Sequence, residues 1–147
     1  MKKFEFRLQR ILEWRQTQAA IEELKLQRLH AERAELESRR ASLAEDYGSS
    51  QKSLLREGPV TGTDLEALDH ARKAAAAQVV RVDVALRSVE QRATVQMSTV
   101  TNKRREVRLL EQLRETKLQE WTRALAKEID QQAQEAHLAR WQSGETR

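Results

Sequence analysis

Glu66 and His70 stand four residues apart, a spacing that on a helix puts a carboxylate and an imidazole on one face, within reach of one metal ion. A third convergent ligand is missing and exposed helices often carry such pairs, so no metal site is expected. His30 and His137 are isolated among polar residues and read as solvated side chains. No Gly-rich loop ends in Lys-Ser/Thr, no His-Glu-x-x-His occurs, and no strand-turn-helix pattern holds a nucleophile. No catalytic residue or cofactor is expected, and the chain does not read as an enzyme.

The chemistry that remains is charge and aromatic surface. Arg7, Arg10 and Arg15 cluster early, and Lys103-Arg104-Arg105-Glu106-Val107-Arg108 forms a second basic segment far along the chain. The plain reading is a solvated helix face with intrahelical ion pairs; the functional reading is a contact surface for an acidic protein. A nucleic-acid binder needs a dense one-sided positive stripe, and Glu106, Glu111 and Glu115 interrupt this one, so no nucleic-acid partner is expected. Trp14, Trp121 and Trp141 also need an explanation, because tryptophan is enriched at interaction hot spots. Trp14 falls beside an apolar seam, Trp121 reads as a staple against the N-terminal residues, and Trp141 reads as a candidate for intermolecular contact.

Composition limits what can position these groups. With 34% charged residues, 4% aromatic residues and a mean hydropathy of -0.79, the 147 residues are poor material for a globular core. A thin seam between helices fits better. Lys+Arg 27 against Asp+Glu 23 gives a net charge of only +4. There is no cysteine, which excludes a disulfide framework and a thiolate zinc site. No apolar run approaches the roughly 20 residues that span a bilayer, and the charged N-terminus lacks an apolar signal-peptide region. A cytoplasmic protein without direct membrane insertion is expected.

The backbone breakers predict the elements. The only proline, Pro59, lies between Gly58 and Gly62, with Gly48 before it and no further glycine until Gly144. One turn over 56–63 therefore divides two helices, about 4–55 and about 64–141, followed by a frayed tail over 142–147. A seam of alternating four- and three-residue steps runs in the first helix from Leu8 through Leu12, Arg15, Ala19, Leu26, Leu43 and Tyr47 to Leu54, with nine of fourteen positions apolar. In the second helix the frame runs from Leu65 through Leu68, Arg72, Val82, Val89, Val100 and Val107 to Leu110, with eleven of fourteen apolar. Val79 to Val84 alternates like a strand, but flanking alanines and the longer period favour helix. Thr63 and Glu66 are placed to form a capping box.

At about 1.5 Å per residue the helices would measure roughly 75 Å and 115 Å. The short turn makes an antiparallel two-helix coiled-coil hairpin the expected all-α fold, with the longer second helix protruding. Opposed residues should carry numbers summing to about 119, within the two to four residues of uncertainty at element ends, which sets Arg15 near Arg104. The two basic segments then share one end. Leu43, Tyr47, Leu54, Leu55, Leu65 and Leu68 gather at the other, where Gly48, Ser49 and Ser50 weaken the helix.

Phe4-x-Phe6-x-Leu8-x-x-Ile11-Leu12-x-x-Arg15, together with Lys103 to Leu110, Leu113, Glu115 and Lys117, resembles the two ends of the flagellar export protein FliJ family. The resemblance spans nearly the whole chain, and stalk proteins of virulence type III secretion are similar. It implies a non-enzymatic component of the flagellar type III export apparatus, peripheral at the inner membrane and similar to the central stalk of rotary ATP synthases. The end with both termini would enter the export ATPase ring and promote its assembly and activity, through Leu8, Arg10, Arg15, Arg104, Arg105 and Arg108. The region near the turn would meet the membrane export gate, through Leu43, Tyr47, Leu65, Leu68 and Arg72. Some members also recycle export chaperones. A coiled-coil adaptor or chaperone-like protein of a virulence system is the alternative.

Overall fold

A computed structural model describes residues 2–144. The described chain is 92% helical, without strands, and consists of two long helices packed against each other. Helix α1 covers Gln9–Arg56 and helix α2 covers Gly62–Gly144. Between Gly62 and Gly144 there is no glycine or proline, so nothing in that stretch interrupts the backbone ladder. Val79 to Val84 is helical. A strand would have put Val80, Val82 and Val84 on one face, whereas the helix buries Val82 at 5% exposure and leaves Val80 and Val84 outside at 61% and 56%.

The turn works through Gly58, which adopts φ +118°, a conformation L side chains rarely take. Pro59 follows it and disfavours helix at the preceding residue. Helix α2 then starts earlier than the sequence implied, because the capping box is Thr61 with Asp64 rather than Thr63 with Glu66. The Asp64 backbone N–H donates to Thr61 Oγ1 at 3.3 Å, and Asp64 Oδ2 accepts from the Thr61 backbone N–H at 3.0 Å and its hydroxyl at 2.7 Å.

Helix α1 starts later than expected. The chain from Lys2 to Phe6 is not helical, and the first turn is set by Gln9 N–H donating to the Phe6 carbonyl at 3.0 Å. No acidic residue lies in the first turn of α1. At the other terminus, residues 142–144, expected to be frayed, continue α2; Glu145, Thr146 and Arg147 lie outside the described residues.

The contacts fall into two units, one of Met1–Ala19 with Asn102–Arg147 and one of Ala20–Thr101. In the first, Leu12 and Ala19 are buried, and Arg15 meets Glu106. In the second, Val82, Val89 and Val100 are buried, and Arg40 meets Asp83, Arg33 meets Glu90 and Arg92 meets Glu32. In each unit the helices run antiparallel, because rising numbers on α1 pair with falling numbers on α2. Partner numbers sum to 118 for Glu22–Gln96, 121 for Arg15–Glu106, 123 for Arg40–Asp83 and Arg33–Glu90, 124 for Glu32–Arg92 and 127 for Gln16–Glu111, so most pairs lie a few residues above the expected 119. All five buried residues sit on the two predicted frames. Each is small or aliphatic, so the core is a seam one side chain wide.

Candidate partner-binding surfaces

In the unit that holds residues 2–19 and 102–144, a cross-helix ion pair ties α1 to α2. Arg15, from the second turn of α1, donates Nη1 to Glu106 Oε2 at 2.6 Å, with the two side chains 33% and 41% exposed. Lys103 Nζ lies 3.6 Å from the same oxygen. Gln16 Nε2 adds a weaker contact to Glu111 at 3.4 Å. The basic segment of α2 is thereby held against the start of α1, as the antiparallel frame requires.

The six residues expected on this surface do not share one role. Arg15 faces Glu106 instead of Arg104 and stacks its guanidinium 5.0 Å from the Trp14 ring, so it ties the helices together. Leu8 is half-buried and lines a cleft described below. Arg10, Arg104, Arg105 and Arg108 are exposed. Arg10, Arg105 and Arg108 have no ion-pair partner among the described residues, which leaves their donors available to a second molecule.

Sequence reasoning missed the non-helical N-terminal segment, which lies along α2. The Phe4 and Trp121 rings pack at 6.1 Å between centroids with planes tilted by 57°. Trp121 Nε1 donates to the Lys2 carbonyl at 3.1 Å, so both the apolar face and the polar tip of the indole are used. Trp121 is thus the staple expected for it. Under the segment lies an open cleft of about 640 Å³ that reaches Phe6, Leu8, Leu113 and Lys117. On the segment's other side a second cleft reaches Arg10, Glu13 and Arg114. The available signal was the Phe4-x-Phe6 alternation, which does not fit a helical period, together with the missing polar cap at Leu8.

Near the turn, in the other unit, the five expected residues split. Leu43, Tyr47 and Leu68 are half-buried at seam positions, whereas Leu65 is 57% exposed although its frame position predicted a seam. Arg72 is also outside the seam. Its Nη2 lies 3.1 Å from Asp69 Oδ1, while Lys73 Nζ lies 2.7 Å from Oδ2. Lys73 first, then Arg72, hold the Asp69 carboxyl below its ordinary value. Leu65 and Leu55, at 67% exposure, are the apolar side chains this region offers outward.

At the far end of α2 every residue over 129–144 is exposed, including Leu138 at 61% and Trp141 at 68%. Among the described residues no group of three or more His, Cys, Asp or Glu side chains is placed to hold a metal ion, and no helix is long and apolar enough to cross a membrane. Comparison with family models, curated proteins and solved structures found no match to the chain.

Proposed function

We propose that the protein is a non-enzymatic stalk component of the flagellar type III export apparatus: a coiled-coil hairpin with a protruding C-terminal helix that binds the export ATPase ring through the end carrying both termini. The observation that carries this reading is the Arg15–Glu106 pair. It brings the basic segment of α2 beside the start of α1 and leaves Arg10, Arg105 and Arg108 exposed without ion-pair partners. Exposed cationic contacts of about 0.2–1 kcal/mol each suit a stalk that must meet successive states of a ring without being trapped by one of them. The turn region, with Leu55 and Leu65 outward, is then the side that meets the membrane export gate from the cytoplasm.

The experiment is ATPase stimulation by the purified chain. Arg104→Glu combined with Arg105→Glu is expected to abolish stimulation of the cognate export ATPase while helix content by circular dichroism stays unchanged. Undiminished stimulation would remove the proposed end. The exposed stretch over 129–144 favours a second reading, an adaptor or chaperone-like protein of a virulence type III system. Binding of an export chaperone through that stretch, with no effect on an ATPase, would select it.

A further inference from the structure

The cleft beside the N-terminal segment combines apolar and cationic side chains, and of its lining only Leu8 is shared with the seam frame and the proposed ring contact. Its apolar lining comes from Phe4, Phe6, Leu8, Leu113 and Trp121. Its charged lining has four cations, Lys2, Lys3, Arg7 and Lys117, and one carboxylate, Glu5. Lys117 is engaged by Glu120 at 2.8 Å, but Lys2, Lys3 and Arg7 have no ion-pair partner among the described residues. About 640 Å³ falls within the size range of pockets that bury a ligand, ample for one or two large side chains.

The backbone beside the cleft offers hydrogen-bond donors of its own. Among the described residues none of the N–H groups from Lys3 to Leu8 has a protein acceptor. Helix α1 begins immediately afterwards without an acidic residue in its first turn, so the positive end of its dipole is not neutralised locally. Arg10 and Arg114, together with the carboxylates of Glu5 and Glu13, border the second cleft along the same segment. Apolar side chains, cations and the start of α1 thus meet beside residues 2–10.

We infer that this cleft is a docking site for an acidic protein segment that inserts one or two large apolar side chains over Phe6 and Leu113 and sets its carboxylates against Lys2, Lys3 and Arg7. Charge complementarity selects this occupant. A second copy of the chain would bring its own net positive charge, and a neutral apolar ligand would leave the cations unmatched. The site goes beyond the ring contact, since it requires neither an ATPase nor Arg104, Arg105 and Arg108.

The test uses the full chain and a fluorescein-labelled, end-blocked helical peptide, rich in Glu and Asp, with Leu and Phe four residues apart. Fluorescence anisotropy is expected to show saturable binding. Leu113→Glu, at a 39% exposed position, and Arg7→Glu with Lys3→Glu should each weaken it by roughly tenfold or more. Val95→Glu, at a 69% exposed position outside the cleft, should leave it unchanged. Each variant is first checked for native helix content, and Leu113→Ala serves where Leu113→Glu fails to fold. The same peptide with its Leu and Phe replaced by Ala should bind at least tenfold more weakly; equal binding would reduce the cleft to diffuse electrostatics and overturn the inference. Equal affinity of all variants would also overturn it. So would preferential binding to phosphatidylglycerol vesicles lost on Leu113→Glu, which would assign the cleft to a lipid surface, or self-association in sedimentation lost on the same change. Because no ATPase is present, a negative result here leaves the stalk reading standing, and loss of ATPase stimulation in the Arg104 and Arg105 variants leaves this site standing.

Discussion

At the scale of single residues, Arg15 shows how far a seam pattern reaches. The frame placed it opposite the basic segment, and that placement holds, but the frame does not choose the partner: Arg104 and Glu106 are two positions apart and point about 200° apart around the helix. Opposite charge then makes Glu106 the partner. Because both side chains are a third or more exposed, solvent screens the pair, and a double-mutant cycle of Arg15→Ala and Glu106→Ala in urea is expected to give a coupling of about 0.5–1 kcal/mol that shrinks as salt is added. A salt-independent coupling would contradict a screened pair. The cap at the start of α2 gives a second residue-level case. Thr63-x-x-Glu66 and Thr61-x-x-Asp64 both carry the capping pattern, and the earlier one satisfies N–H groups closer to the turn. The Thr61 hydroxyl first, and its backbone N–H second, hold the Asp64 carboxyl below its ordinary value of 3.8. A lowered carboxylate stabilises the folded form above that ordinary value, and the effect is lost as pH falls through the lowered one. Amide protection at residues 62–66, taken relative to the intrinsic exchange rate at each pH, should accordingly fall on acidification below 3.8 in the parent chain, and Asp64→Asn should remove that acid dependence. An unchanged acid response in the variant would show that the cap is not its source.

At the scale of elements, the seam was legible because each helix has to bury the same narrow stripe for its whole paired length. Eleven of the fourteen α1 frame positions and twelve of the fourteen in α2 are less than fully exposed. The exceptions in α2, Leu65 and Arg72, lie close to the turn. The N-terminal segment was not legible because the helical period was carried through Phe4 and Phe6, where no cap or apolar periodicity supports it. So thin a seam concentrates stability in few residues. Val100 is fully buried, and Val100→Ala should cost about 2 kcal/mol through lost burial and the cavity left behind, measured by urea unfolding followed by circular dichroism. Val95→Ala, five residues earlier and 69% exposed, should stay within about 0.5 kcal/mol. Similar costs at the two positions would mean that burial in the seam does not govern stability.

At the scale of the whole molecule, two kinds of surface serve different ends. Residues that tie the helices, such as Arg15, Arg40 and Gln96, fix the fold; exposed groups such as Arg105, Leu65 and Trp141 are free for other molecules. Every residue over 129–144 is exposed, so deleting that stretch should change the unfolding free energy of the remainder by less than about 0.5 kcal/mol. A larger loss in urea titration would reveal packing there. Fold class was readable from the sequence because breakers and periodicity act locally. The partner was not, because mixed charge on a helix surface is compatible with many acidic surfaces, and only a resemblance narrowed the choice.

One contact also bears on how the two helices find each other. Gln96 Nε2 donates to both the Glu22 carbonyl at 2.9 Å and the Glu22 carboxylate at 2.6 Å, placing an amide among valines and alanines. A wholly aliphatic seam slid by seven residues still sets one aliphatic side chain against another, and so loses little. A slip of seven would set Glu22 against Val89 or Lys103 and Gln96 against Arg15 or Leu29, so neither slipped pairing restores the amide-to-carboxylate contact. The contact therefore favours one register over its seven-residue neighbours.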